Sequence, residues 1–132
     1  MGMRIVIADL DGTISDYSHR IKLYKERDYD SFNKAGKDDK PIENICNILR
    51  ALDREETEIV IITARSDDNR PATQDWLRLN DVPCDRLIMR PKDDNSSDAE
   101  CKRKLFEQKI NYSNVWFVLE DRKSVVDMWR GE

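Results

Sequence analysis

The sequence predicts an α/β fold built on a parallel β-sheet. Four short apolar segments are separated by stretches with helical periodicity, and none of the four alternates between apolar and polar residues. Strands buried on both faces, as in a parallel sheet covered by helices, have this composition. The repeated order of strand and helix favours right-handed crossovers between parallel neighbours.

The four apolar segments are the predicted strands. They read RIVIA at residues 4–8, TEIVIIT at 57–63, RLIM at 86–89 and VWFVL at 115–119. Each is rich in β-branched or other large apolar side chains, which are typical of strands.

Four helices are predicted between and after these strands. Pro41 marks a helix start, since proline fits the first helical turn, and apolar residues then recur at three- and four-residue steps through residues 42–52. The third helix is expected to begin at Asp98, and a short fourth helix spans residues 124–130. Pro71 opens the second helix, whose buried side is expected to carry Trp76, Leu77 and Leu79.

A polar segment, residues 14–40, separates the first strand from the first helix. A loop or small helical insert directly after the first strand of an α/β domain is a common place for a substrate lid. The chain has 132 residues, about the size of one domain, and shows neither a repeat nor an interdomain linker. We therefore expect a single domain over residues 1–132 with a lid at residues 14–40.

The composition argues against several classes of protein. No apolar run approaches the roughly 20 residues that a membrane span requires, so we expect no membrane partner. Cys46, Cys84 and Cys101 are odd in number and match no metal-ligand spacing, which favours a reducing cytoplasm. The net charge of −4 argues against a protein that coats duplex DNA, but it leaves room for a local basic pocket that holds one phosphate.

An acidic motif follows the first strand: Asp9-Leu10-Asp11-Gly12-Thr13. Ligands of open α/β sheets bind beyond the carboxyl ends of the strands, where this motif lies. Two neighbouring carboxylates repel each other, which favours a bound divalent cation or a raised pKa. Gly12 permits a tight turn around the site. The alternative interpretation is a solvated acidic turn.

Three further candidates follow other strands or lie on a helix. Thr63 and Arg65 end the second strand and suit phosphate oxygens, although threonine and arginine are also common there without a function. Lys102 lies in a run of three cations on the third helix, which is otherwise typical of a solvated face. Glu120 and Asp121 end the fourth strand as further metal ligands, with helix capping by Asp121 as the alternative.

The order of these motifs along the chain resembles the haloacid dehalogenase-like phosphatase superfamily. The resemblance covers essentially the whole chain and implies a Rossmann-like, doubly wound parallel sheet. It implies phosphoryl transfer through an aspartyl-phosphate, with Asp9 as nucleophile and Asp11 as the group that protonates the leaving oxygen and later activates water. Thr63 and Lys102 would hold the phosphoryl oxygens. A carboxylate that attacks a phosphate needs such cations to overcome repulsion.

The same resemblance implies Mg²⁺ as cofactor. Its ligands would be Asp9, Asp11 through the backbone carbonyl, and Asp121, with Glu120 close behind. Glu120 departs from the family pattern, because its side chain is longer than the aspartate usually found there.

The last third of the chain is similar to the 3′-phosphatase domain of phage polynucleotide kinases. The similarity rests on Ile88-Met89-Arg90-Pro91, on Asp98 four residues before Lys102, and on the segment from residue 120 to 130. It implies substrate-binding roles for Arg20, Arg65 and Asp98, and a substrate that is a 3′-phosphorylated nucleic-acid end or nucleotide. No G-x-x-x-x-G-K-[ST] motif is present, so we expect no 5′-kinase activity from these residues.

Other functions stay open at this stage. They are a general small-molecule phosphomonoesterase of the same superfamily, a module that binds phosphorylated ends without catalysis, and a receiver-like signalling domain. The receiver interpretation is disfavoured because in a receiver domain the acids and the phosphoacceptor lie on different strands and the lysine comes last, whereas here one acid pair opens the chain, another closes it, and Lys102 lies between them. The family chain also continues into another strand, so either the sheet lacks its final strand or a partner supplies that edge. The sequence indicates nothing about oligomeric state.

Overall fold

The computed structural model describes residues 3–131, in which six strands and six α-helices are formed. The strands are β1 (Arg4–Ala8), β2 (Ser15–Asp16), β3 (Lys40–Pro41), β4 (Thr57–Ser66), β5 (Arg86–Arg90) and β6 (Val115–Leu119). The helices are α1 (Ile21–Lys25), α2 (Tyr29–Lys34), α3 (Glu43–Leu52), α4 (Arg70–Leu79), α5 (Asp98–Lys109) and α6 (Lys123–Trp129). The predicted α/β fold is confirmed.

Four strands form one parallel sheet in the order β5-β4-β1-β6. Successive residues of β1 face opposite sides: Val6 packs with α3 and α4, whereas Ile7 packs with α5. The helices therefore cover both faces, as in a doubly wound sheet. The strand order reverses between β1 and β6, so the crevice beyond their carboxyl ends is where this topology places a ligand.

Two helix predictions are wrong in detail. Pro41 lies in β3 rather than at a helix start, because residues 40–41 pair antiparallel with β2 and α3 begins only at Glu43. Leu79 is 74% exposed although we expected it to be buried. At 100° per residue, Thr73, Trp76 and Leu77 lie on one side of α4, and Leu79 lies about 110° from the centre of that side.

The second core strand is longer than predicted. β4 continues through Ser66, three residues beyond the apolar run, and its pairing with β5 shifts register between Thr63 and Ser66. Arg65 therefore lies within the strand, and its side chain is buried.

The segment of residues 14–40 is ordered around a small two-stranded sheet and two short helices. Ile14 is buried in the core, Arg20 is buried beneath α1, and Phe32 on α2 packs over the Arg20 guanidinium at 4.1 Å. The segment thus adjoins the carboxyl edge of the sheet. No helix within residues 3–131 is both long and apolar enough to cross a membrane.

Candidate active site

Asp9 lies directly after β1 with its carboxylate buried. The Lys102 ammonium donates to Asp9 Oδ1 at 2.5 Å, and the Thr13 hydroxyl lies 3.3 Å from Oδ2. Burial raises the pKa of Asp9 well above its usual value; Lys102 opposes this rise, whereas the Glu120 carboxylate adds to it. The fold thus places a buried carboxyl group with one cationic partner at the carboxyl end of a central strand.

Lys102 is the cation of α5 that points into the protein. Its ammonium also donates to Glu120 Oε1 at 2.8 Å, so it bridges acids that follow β1 and β6. Burial alone lowers the pKa of Lys102, but the carboxylates of Asp9 and Glu120 outweigh burial and raise it. Its neighbours turn outward: Arg103 pairs with Glu100, and Lys104 is half-exposed. Of the three consecutive cations on α5, Lys102 is buried and the other two face solvent.

Asp9, Glu120 and Asp121 form an acidic cluster in which one carboxylate oxygen from each lies within 4.8 Å of the others. The Lys102 ammonium pairs with Asp9 and Glu120 but not with Asp121, so the cluster has three acidic groups and one paired cation. Carboxylate oxygens are the donors that Mg²⁺ prefers, and the donor set therefore fits this ion. Glu120 belongs to the cluster itself, closer than the sequence suggested, whereas the side chain of Asp11 points elsewhere.

Gly12 allows the Asp121 carboxylate to approach the turn after β1 closely. Its φ is +86°, and a Cβ at this position would lie 2.2 Å from Asp121 Oδ2. Only glycine fits both this left-handed backbone and the close approach of a carboxylate. The Thr13 hydroxyl, one residue later, lies 3.2 Å from Asp121 Oδ1. The turn after β1 is thus packed against the end of β6.

The Asp11 carboxylate is held by two arginines. Arg65 donates to it from Nε at 3.1 Å and from Nη2 at 2.6 Å, and Arg20 donates from Nη2 at 2.5 Å. Burial by itself raises the pKa of Asp11, but the guanidinium groups of Arg65 and then Arg20 outweigh it and lower the pKa to about 2. Asp11 is therefore a carboxylate at neutral pH in this arrangement.

Asp39 is a buried acid that the sequence analysis missed. Arg20 donates to both of its oxygens, at 2.8 and 2.7 Å, and Arg65 Nη2 lies 3.4 Å away. His19 Nε2 makes a further contact of 2.7 Å, and Trp76 donates to its backbone carbonyl at 2.9 Å. Asp39 follows a 3₁₀ turn in a polar segment, where no local pattern distinguishes it from the other acids.

Thr63 and Asp98 take different positions around the site. Thr63 is buried, and its hydroxyl accepts the backbone N–H of Arg65 at 3.1 Å. Asp98, at the start of α5, accepts from Arg90 Nη2 at 2.8 Å and also pairs with Arg122. Arg90 also donates from Nε to the backbone carbonyl of Ala64 in β4, so it links Asp98 to that strand. The sequence analysis gave Arg90 no role.

One cavity of about 420 Å³ joins these groups. Six of the eight residues predicted for the site line it: Asp9, Asp11, Thr63, Arg65, Asp98 and Lys102. Arg20 does not line it, because its side chain is fully buried behind Asp11. Asp121 reaches the site through the acidic cluster instead. The sequence did not predict the aromatic part of the wall, which comes from α1 and α2.

Comparison with known proteins identifies relatives of this site and fold. A family model described as the polynucleotide kinase PNKP phosphatase domain matches residues 3–132. A protein of Autographa californica nuclear polyhedrosis virus, whose name describes it as a bifunctional polynucleotide kinase/RNA ligase, is 32% identical over 129 residues. That match covers 96% of this chain and 18% of the viral protein.

Solved structures agree with this match. A chain of the Pnkp1/Rnl/Hen1 complex superposes with a TM-score of 0.84 at 28% identity, over 99% of this chain and 43% of that one. The class C acid phosphatase of Bacillus anthracis superposes with a TM-score of 0.70 at 18% identity, over 95% of this chain and 54% of that one, which shows the fold alone. The chain thus spans about a fifth of the viral protein and less than half of the chain from the Pnkp1/Rnl/Hen1 complex. It belongs to the polynucleotide kinase phosphatase-domain family of the haloacid dehalogenase-like superfamily.

Proposed function

We propose that this domain is a Mg²⁺-dependent phosphatase that removes the 3′-phosphate from polynucleotide ends through an aspartyl-phosphate. The observation that carries the proposal is the buried Asp9–Lys102 pair, which lies in a cavity beside the acidic cluster. Membership of a phosphatase-domain family supports the reaction type.

In the first step, an Asp9 oxygen attacks the phosphorus atom, and the bond between phosphorus and the 3′-oxygen breaks. The electron pair of that bond leaves with the 3′-oxygen, which takes up a proton to become a hydroxyl. Lys102 and Thr63 would hold the phosphoryl oxygens, because both line the cavity next to Asp9. A preorganised ammonium group stabilises the charge that develops on these oxygens.

In the second step, water attacks the phosphorus atom of the aspartyl-phosphate. The bond to the Asp9 oxygen breaks, which releases inorganic phosphate and restores the Asp9 carboxylate. Asp11 is the proposed acceptor of the proton from this water; its pKa of about 2 keeps it ionised, and its basicity would rise as its contacts with Arg65 and Arg20 weaken. For the first step, Asp11 would have to receive a proton while its contacts with Arg65 and Arg20 weaken.

The acidic cluster would hold the magnesium ion. Asp9 and Asp121 are the proposed side-chain ligands together with the Asp11 backbone carbonyl, and Glu120 is the third carboxylate of the cluster. When bound, the ion offsets the repulsion between the Asp9 carboxylate and the phosphate. We expect Asp121→Asn to raise the Mg²⁺ concentration needed for half-maximal activity, while the exposed Asp53→Asn serves as a matched control.

The substrate assignment rests on the arginines and on the relatives. Arg65 and Asp98 line the cavity, where they are positioned to contact substrate, whereas the buried Arg20 would act by orienting Asp11. One structural relative belongs to an RNA repair complex of Pnkp1, Rnl and Hen1, with 27% identity to this chain. An RNA 3′-phosphate is therefore the first substrate to test. The three unpaired cysteines accord with the cytoplasmic setting that we propose.

The decisive experiment measures phosphate release with and without Mg²⁺ for wild type and Asp9→Asn. The substrates are 3′-phosphorylated and 5′-phosphorylated oligonucleotides and sugar phosphates. We expect Mg²⁺-dependent release from the 3′ end by wild type and none by the variant. A preference for sugar phosphates would indicate the general phosphomonoesterase instead. Equal, slow release by both proteins would indicate a non-catalytic or receiver-like module.

A further inference from the structure

The cavity has an aromatic wall that the proposed chemistry does not use. Tyr24 on α1 and Tyr29 at the start of α2 line the cavity together with Asp9 and Lys102. Their side chains are 38% and 50% exposed, and their ring centroids lie 5.5 Å apart. Phe32 packs behind Tyr24 at 5.3 Å and supports it from the protein side. The two tyrosine rings meet at 65°, so a flat ligand can stack on one of them while the other contacts its edge.

The charged groups of the cavity wall differ in whether they are already paired. Arg65, Arg90, Arg122 and Lys102 each form an ion pair with an acidic side chain of the site. Lys92 also lines the cavity and is exposed, and among residues 3–131 no acidic side chain lies within ion-pairing distance of its ammonium. The cavity therefore offers one uncommitted cation outside the catalytic groups.

The loop that carries Lys92 is fastened in place. Arg90 Nη1 donates to the backbone carbonyls of Asp94 and Ser96 at 3.0 and 2.7 Å, and Asp94 accepts from the backbone N–H of Ser96. Lys92 thus lies on a loop whose position is set by a partly buried arginine. A cation on such a loop suits contact with a phosphate at a defined distance from Asp9.

We propose that Tyr24 and Tyr29 form a stacking surface for the 3′-terminal base of a single strand, and that Lys92 contacts the next phosphate. This inference rests on the proposed function. A volume of about 420 Å³ lies in the lower part of the range for small-ligand pockets, which suits one nucleotide better than a base pair. Stacking on aromatic rings does not depend strongly on the identity of the base. Because the cavity has one unpaired cation among residues 3–131 and the chain has a net charge of −4, we expect the protein to bind the end of the strand rather than its length.

The test compares two single-stranded substrates that carry the same 3′-phosphate, one with a terminal base and one with an abasic terminal nucleotide. The readout is the ratio of their kcat/KM values. Stacking is worth about 1–3 kcal/mol per base, so Tyr29→Ala should lower this ratio roughly 5- to 150-fold. Tyr29→Phe should restore the ratio, since the ring and not the hydroxyl stacks. Tyr112→Ala is the control, because Tyr112 is 75% exposed and does not line the cavity.

An unchanged ratio in both Tyr29→Ala and Tyr24→Ala would overturn the stacking surface while leaving the phosphatase proposal intact. A higher kcat/KM on a blunt duplex than on the same single strand would overturn the preference for single strands. Absence of phosphate release from every 3′-phosphorylated substrate would overturn the proposed function and this inference with it.

The contact of Lys92 with the next phosphate has its own readout. The logarithm of kcat/KM should fall with the logarithm of salt concentration, and Lys92→Gln should reduce that slope by about 0.7, the value for one phosphate contact on a single strand. Lys109→Gln, an exposed lysine at the end of α5, should keep the wild-type slope. Equal slopes for wild type and Lys92→Gln would remove Lys92 from the proposed surface.

Discussion

Arg65 and Asp11 form a two-pronged ion pair that joins the end of β4 to the turn after β1. Arg65 Nε lies 3.1 Å from Asp11 Oδ2, and Nη2 lies 2.6 Å from Oδ1. Arg65 Nη1 also approaches the Thr73 hydroxyl at 3.4 Å. The planar fork of one guanidinium therefore sets both the charge and the orientation of Asp11.

Two substitutions of Arg65 should distinguish the effect of its charge on activity from the effect of its planar, two-pronged geometry. Arg65→Lys keeps the charge but not the fork, so we expect kcat/KM to fall about 10- to 100-fold, the worth of one or two charge-assisted hydrogen bonds. Arg65→Ala should lower kcat/KM further. It should also lower the free energy of unfolding by about 2 kcal/mol, because Asp11 and Asp39 lose a partner. Steady-state kinetics and urea unfolding measure both effects.

Arg78→Ala is the matched control for these variants, since Arg78 is an exposed arginine on α4. If Arg65→Ala unfolds at 25 °C while Arg65→Lys keeps full activity, Arg65 is structural and has no part in turnover.

Asp39→Asn should destabilise the protein and slow the reaction together. The substitution removes the negative charge that faces the fully buried Arg20 from one side. Breaking a buried ion pair costs about 3–5 kcal/mol, and Asp11 remains as a second partner, so we expect the free energy of unfolding to fall by about 2–3 kcal/mol. Thermal and urea unfolding provide the measurement.

Asp38→Asn changes the neighbouring exposed acid and should leave both stability and activity near wild type. Similar unfolding free energies for Asp38→Asn and Asp39→Asn would show that the buried network contributes little.

Lys102→Met should abolish most turnover. Removal of one preorganised charge at a reacting oxygen typically costs about 10²–10³-fold in kcat. The loss also leaves Asp9 and Glu120 without their shared cation, so we expect reduced stability. Adding Asp9→Asn to Lys102→Met should recover part of that stability, because one of the two repelling carboxylates is gone.

Arg103→Met, on the exposed side of the same helix, is the control and should keep wild-type kinetics. Additive stability losses in the Asp9→Asn, Lys102→Met double variant would show that the two groups do not interact.

Gly12→Ala should impair the site through Asp121. Both Gly12 and Gly131 have positive φ, at +86° and +81°, but only at Gly12 would a Cβ meet another group within 4 Å. Gly131→Ala therefore reports the backbone strain alone, about 1 kcal/mol. We expect Gly12→Ala to lose clearly more stability than Gly131→Ala and to need more Mg²⁺, measured by unfolding and by Mg²⁺ titration of activity. Equal losses of stability and equal Mg²⁺ requirements in the two variants would show that Asp121 moves away from the added Cβ at position 12 without cost.

Local patterns predicted most of the fold. The four core strands and four of the helices were found from apolar runs and periodicity, because burial between layers requires those patterns. The helix start at Pro41 was wrong, since the choice between strand and helix there depends on pairing with Ser15 of β2, 26 residues away in sequence. The length of β4 was missed because Arg65 is polar and its burial depends on Asp11.

By itself the sequence determined the α/β fold and the positions of Asp9 and Asp121 just after the first and last core strands, because residue order along buried strands is local information. Tertiary structure alone decided which charges meet. It brought Lys102 into contact with both Asp9 and Glu120, brought Asp39 to Arg20, and placed Tyr29 in the wall of the same cavity as Asp9. Electrostatic and stacking contacts depend on distances between residues far apart in the chain, and only the packed fold sets those distances.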